Sequence, residues 1–101
     1  MSSLEYTLVL TDEANDDYQH ILLYTLEQWG EKQQEVYDDL LDAALSRLKQ
    51  DPRLGRKLSQ LPPAYRAYHV GKHYLIYRVE GLEVVVFRIL HERMNLSRHL
   101  P

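Results

Sequence analysis

The sequence predicts an α+β fold in the order β-α-α-β-β-β, a helical hairpin packed on a small, mainly antiparallel sheet. Three observations lead there. Two consecutive stretches, one ending at Trp29 and one starting at Glu31, repeat apolar residues every three or four positions, the spacing of a helix face. Only Gly30 separates them, and so short a connection forces an antiparallel pair. Beyond Pro62-Pro63, three short apolar runs are parted by Gly71-Lys72 and by Gly81, the punctuation of a β-meander.

Leu4 to Leu10 reads as a strand, with Leu4, Tyr6, Leu8 and Leu10 on one face and Glu5, Thr7 and Val9 on the other. Thr11 or Asp12 then stands where a helix cap belongs, with Glu13 and Asp16 in the first turn. The first helix carries the stripe Ala14, Tyr18, Ile21, Leu22, Thr25 and Trp29, and Gly30 ends it. Trp29 is expected to close the hairpin against the sheet, as large aromatics at helix ends usually pack. A second helix, from about Glu31 to Gln50, has the stripe Tyr37, Leu40, Leu41, Ala44 and Leu48, and Pro52 stops it. Residues 52–63 read as a loop. The strands Tyr65–Val70, His73–Val79 and Glu83–Leu90 follow, and the tail His91–Pro101 must dock on the sheet or on a partner. All of this fits one domain spanning residues 1–101.

Composition narrows the function classes. With no cysteine, disulfides and thiolate metal sites are excluded. No basic leader precedes the first strand, no apolar run approaches the ~18 residues that cross a bilayer, and a cytoplasmic location is expected. The net charge of −3 is the residue of a strong asymmetry. Residues 1–51 hold 12 acidic and 3 basic side chains, residues 52–101 hold 3 acidic and 9 basic ones, and four of the five histidines lie in the basic half. Either two oppositely charged layers pack together or the C-terminal half meets something anionic. The acidic helix faces argue against those helices lying on DNA.

Candidate chemistry is sparse. His69 and His73 flank the Gly71 turn without an evident third ligand, so they read as solvent-exposed turn histidines, and neither a metal nor a cofactor is expected. Six of the eight tyrosines (Tyr6, Tyr18, Tyr37, Tyr68, Tyr74 and Tyr77) sit on periodic apolar faces or strands and read as core with a polar tip. Arg88 falls within the apolar run Val84–Leu90, where it must either face solvent or pair with a carboxylate.

Three segments resemble the ParE/RelE toxin superfamily of type II toxin–antitoxin systems. They are the opening YTLVLTDEANDDYQHILLYTLEQWGEKQQEVY, the middle hairpin HVGKHYLIYRVEG, and the closing strand and tail VVVFRILHERMNLSRHL. The resemblance covers about Tyr6 to Leu100, and the RILH…RHL ending and Trp29-Gly30 are its most specific parts. RelE-type members resemble small ribonucleases that cut mRNA on the ribosome with cations and a tyrosine gathered on the sheet; ParE-type members poison DNA gyrase. Laid on the RelE pattern, Arg66 keeps its charge, but the remaining positions fall on Tyr68, Tyr74, Met94 and Leu100. A different set, Arg66, Tyr68, Arg78, Arg88, His91, Glu92 and Arg93, leaves ribonuclease chemistry open as the alternative, as does a non-toxic module serving only assembly or autoregulation.

The resemblance therefore implies a gyrase inhibitor with no catalytic residue, neutralised by a ParD-like antitoxin and meeting operator DNA only through it. The basic tail, with Arg88, His91, Arg93, Arg98 and His99, is the expected target-binding region. Leu23, Leu26, Val36 and Leu45, left over on the hairpin, together with Arg66 and Arg78, are the expected antitoxin-binding residues. Helix-in-groove and strand-edge docking are the modes open to a segment that folds on binding.

Overall fold

The computed structural model describes residues 5–100. The elements are β1 (Thr7–Leu10), α1 (Asp12–Trp29), α2 (Glu31–Gln50), β2 (Arg66–Val70), β3 (His73–Glu80) and β4 (Glu83–His91), followed by a 3-10 turn over Leu96–His99. The sheet order is β1-β4-β3-β2, with β1 parallel to β4 and the other pairings antiparallel. The predicted order and helix boundaries hold. The first strand is shorter than expected: Leu4 lies outside the described residues, and Glu5 and Tyr6 precede the strand.

The parallel pairing of β1 with β4 sends the chain straight into α1 over the sheet. Thr11 manages that joint. Its hydroxyl donates to Phe87 O (2.9 Å) and accepts from Ala14 N (3.1 Å), so one side chain caps the helix and ties it to β4. Gly30 then reverses the chain, and α2 returns beside α1. Tyr18 Oη donates to Asp38 Oδ1 (2.6 Å), and Gln34 Nε2 donates to Leu22 O (3.2 Å). These bonds fix which flank of each helix faces the other.

The hairpin buries one face of the sheet. Ala14, Leu41, Ala44, Leu45 and Leu48 pack on Val70, Leu75, Tyr77, Val84, Val86 and Ile89. The expected stripe of α2 is corrected at two positions: Leu45 is buried (6% exposed), whereas Leu40 is 41% exposed. Trp29 is corrected too. It is 71% exposed at the hairpin tip and closes nothing.

The opposite sheet face is also covered, which the sequence reading left undecided. Leu58, Leu61 and Tyr65 from the 52–65 segment meet Leu96 and Leu100 from the tail over Ala67, Ile76, Phe87 and Leu90. Residues 52–63 are thus a lid as well as a connection. Their path is set by Tyr77, whose buried hydroxyl donates to Pro52 O (2.5 Å) and accepts from Gly55 N (2.8 Å). A Cβ on Gly55 would lie 2.5 Å from that hydroxyl oxygen, so the approach requires glycine.

A bulge in β4 divides the two cores. Ile76 pairs with Arg88 and Tyr77 with Val86, leaving Phe87 as the extra residue. Val84 and Val86 face the hairpin, and beyond the bulge Ile89 takes over that role. Simple alternation from Val84 and Val86 would have driven Arg88 under the hairpin. The bulge turns it out past the end of β1.

Candidate functional site

Arg88 reaches Asp17 of α1 in a two-pronged pair, Nε to Oδ2 at 2.7 Å and Nη2 to Oδ1 at 3.0 Å. Asp17 Oδ2 also accepts Ile89 N–H (2.9 Å), satisfying the β4 edge where β1 has ended. On its other side the guanidinium donates to His99 O (3.2 Å). Arg88 therefore joins the helix layer, the sheet edge and the tail. Of the two fates the sequence left open, pairing is the one found. The neighbouring carboxylate raises the Arg88 pKa further, so the charge is permanent.

At the Val70–His73 end of β2 and β3 lies a cluster of aromatic and titratable groups. Tyr37 Oη of α2 stands 2.5 Å from His73 Nδ1 and accepts from Lys72 N–H at 3.0 Å. With Tyr37 donating, Nδ1 is the acceptor and the ring proton sits on Nε2. Burial, and then the neighbouring His91, push the His73 pKa down to about 4. The His91 ring stands edge-on 5.3 Å away. Burial raises the Tyr37 pKa. Gly71, at φ +58°, brings the turn so close that a Cβ would lie 2.6 Å from Tyr37 Oη. His73 is thus half-buried and bonded, against the expectation of an exposed turn histidine. His69 is exposed, but its Nε2 pairs with Glu92 Oε1 at 2.8 Å, which holds the Glu92 pKa below the usual carboxylate value.

The remaining candidates scatter. Arg78 pairs with Glu80 and lies over the rings of Phe87 (4.9 Å) and Tyr65 (5.4 Å) on the face away from the hairpin. Arg66 donates to Gly55 O (2.9 Å) at the opposite end of the sheet from His73. Arg93 and Arg98 are exposed, His91 and His99 half-buried. On the hairpin, Leu23 and Val36 are about half exposed and Leu26 is intermediate. Leu45 is withdrawn as a partner residue, because it is core. Sequence reasoning gave no partner to Asp17 or to the Tyr37 hydroxyl. Both act through partners far away in the chain. No group of three or more His, Cys, Asp or Glu able to hold a metal occurs among the described residues.

The RelE-like positions are likewise dispersed. Tyr68 packs with the hairpin core, whereas Tyr74 and Leu100 pack on the opposite side of the sheet. A model of the ParE toxin of type II toxin–antitoxin systems matches residues 8–96. The chain belongs to the ParE toxin family. ParE1 of Mycobacterium tuberculosis (strain H37Rv) is 37% identical over 93 residues, which span 91% of this chain and 95% of that one. Among solved structures, a chromosomal ParDE toxin–antitoxin system from P. aeruginosa superposes with a TM-score of 0.76 at 20% identity, covering 88% of this chain and 98% of the other. A chain of the RelBE2 toxin–antitoxin complex from Mycobacterium tuberculosis gives a TM-score of 0.62 at 22% identity, covering 86% and 98%. At those identities the two structures establish the shared ParE/RelE-like fold. The 37% relative and the family match establish the ParE membership.

Proposed function

We propose that this ParE-family toxin acts by inhibiting DNA gyrase rather than by cutting RNA, and that an antitoxin of the ParD kind neutralises it. The observation that carries this reading is the covered sheet face. A ribonuclease of the RelE type works with cations and a tyrosine gathered on the sheet, where they can hold a phosphate and move a proton. Here the side of the sheet away from the hairpin is an apolar core beneath Leu61, Tyr65 and Leu96, and Arg78 is occupied by two rings and Glu80. A protein that works by association needs no such constellation.

In this reading the target meets the tail. Arg93 and Arg98 are the exposed cations, His91 and His99 flank them, and Arg88 holds the tail on the fold through His99 O. Leu23, Leu26 and Val36 anchor the antitoxin on the hairpin, whereas Arg66 and Arg78, the other expected contacts, are already engaged with Gly55 O and with Glu80. The test is a supercoiling and cleavage assay with purified gyrase and plasmid. Inhibition that the antitoxin reverses is the expected outcome. No effect at large excess, together with cleavage of ribosome-bound mRNA, would overturn the reading.

A further inference from the structure

The outer edge of β2 is a strand edge left half used. Residues 66, 68 and 70 bond inward to β3, because the two-residue turn at Gly71-Lys72 closes on the Val70–His73 pair. Ala67 and His69 then point their backbone groups outward. Ala67 is met by Arg56 in an isolated antiparallel bridge, with both N–H···O bonds at 2.8 Å. Two residues before Arg56, where a partner for His69 would stand, the 52–65 segment leaves, since Leu54 N–H turns back to Asp51 O (3.2 Å). His69 N–H and C=O are met by no strand among the described residues.

Beside this edge runs a groove of about 300 Å³, lined by Leu54, Leu58, Tyr68 and Tyr74 together with Arg56 and His69. Arg56, Lys57 and Lys72 are exposed, and none pairs with a carboxylate among the described residues. The hairpin's outer surface has the opposite sign, with Glu27, Glu35, Asp39 and Asp42 exposed there.

We propose that the β2 edge at His69 takes an extended, acidic segment of the partner protein as an added strand, with an apolar side chain in the groove and carboxylates toward Arg56, Lys57 and Lys72. This rests on the antitoxin reading above and names the chemistry and docking mode of one part of the partner. Main-chain bonds to His69 supply register, and alternate side chains of the segment supply specificity. Charge selects the edge over the hairpin, where the same segment meets like charges. It also disfavours a second copy of this chain, which would set one basic edge against another.

The experiment titrates the 15N-labelled full chain with two ten-residue peptides, one alternating valine with glutamate and one alternating valine with lysine. The glutamate peptide should shift the amide signals of Ala67–Lys72 and bind at least tenfold tighter than the lysine peptide. His69→Pro removes the outward N–H at a position where β3 does not need it, and should weaken binding at least tenfold. His69→Ala keeps the N–H and should stay within about threefold. Arg56→Glu with Lys57→Glu should abolish binding while the spectrum of the free chain stays folded. Equal binding of both peptides, or shifts confined to α1 and α2, would overturn the proposal. Co-purification with the product of the adjoining reading frame separates the two readings. Full retention of that complex by His69→Pro overturns the strand edge alone, whereas no complex with the unaltered chain overturns the antitoxin reading and this proposal together.

Discussion

Asp17 shows how much of this fold hangs on single residues. One carboxylate holds two guanidinium nitrogens and a strand-edge amide, across 71 and 72 positions of sequence. Breaking a half-buried pair strands the remaining charge, so the loss exceeds the worth of an exposed ion pair. Asp17→Ala should cost about 2 kcal/mol, lowering Tm by roughly 10 °C in a domain of this size. Asp17→Asn, which keeps an acceptor for Ile89 N–H, should lose about half as much. Thermal unfolding followed by circular dichroism measures both. The sequence announced that Arg88 needed either solvent or a carboxylate. It could not name Asp17, because that pairing depends on where β1 ends and on a bulge that no local pattern encodes.

His73 makes a second residue-scale prediction, with a definite sign. In the unfolded chain it takes a proton near its ordinary value of 6.5, and in the folded chain near about 4. Between those values the unfolded state binds more protons, so stability is full above pH 6.5 and falls as pH drops toward 4. Tm should decline over that window. His73→Asn, whose amide oxygen can accept from Tyr37 in place of Nδ1, should flatten the decline. An unchanged slope in that variant would mean that other groups carry it.

Among the elements, α2 shows where periodicity stops informing. Leu40 and Leu45 lie on opposite flanks of the stripe centred on Leu41, Ala44 and Leu48, and the wheel cannot say which flank the neighbouring helix will cover. The Tyr18–Asp38 and Gln34–Leu22 bonds put α1 on the Leu45 flank, so Leu45 is buried and Leu40 is not. The helices and the meander were legible because each repeats at its own period. The lid over residues 52–63 was not, because Leu54, Leu58 and Leu61 keep helical spacing in a stretch broken by Gly55 and Pro62-Pro63, and its path is set by Tyr77 through Pro52 O and Gly55 N–H. Leu45→Ala should therefore cost about 2–4 kcal/mol. The double change Leu23→Ser and Val36→Ser should cost under about 1 kcal/mol while weakening the antitoxin complex at least tenfold. Denaturant unfolding beside calorimetric titration separates the two effects, and equal losses in fold and complex would remove these residues as anchors.

At the scale of the whole molecule, the charge split becomes a division between surfaces. Only one ion pair among the described residues, Arg88 with Asp17, crosses from the helix layer to the sheet. Most other hairpin acids face solvent, and the tail that carries Arg93 and Arg98 packs its leucines on the far side of the sheet. The asymmetry seen in sequence is thus not consumed by layer packing, which leaves it available to orient partners. In the proposed reading the tail has two roles that must be separated. Leu96 is buried and Leu100 packs beside it over the second core, so deleting residues 92–101 should expose Leu90 and destabilise the fold outright. Loss of gyrase inhibition in that deletion would say nothing about contact. Arg93 and Arg98 offer the cleaner probe, being exposed and outside every ion pair among the described residues. The double change Arg93→Glu and Arg98→Glu should leave Tm within a few degrees and raise the concentration for half-inhibition of gyrase supercoiling at least tenfold. Inhibition by the unaltered chain should also weaken as salt rises from 50 to 200 mM, since exposed charges are screened within about 10 Å. Retention of full potency by the double variant would move the target contact away from the tail.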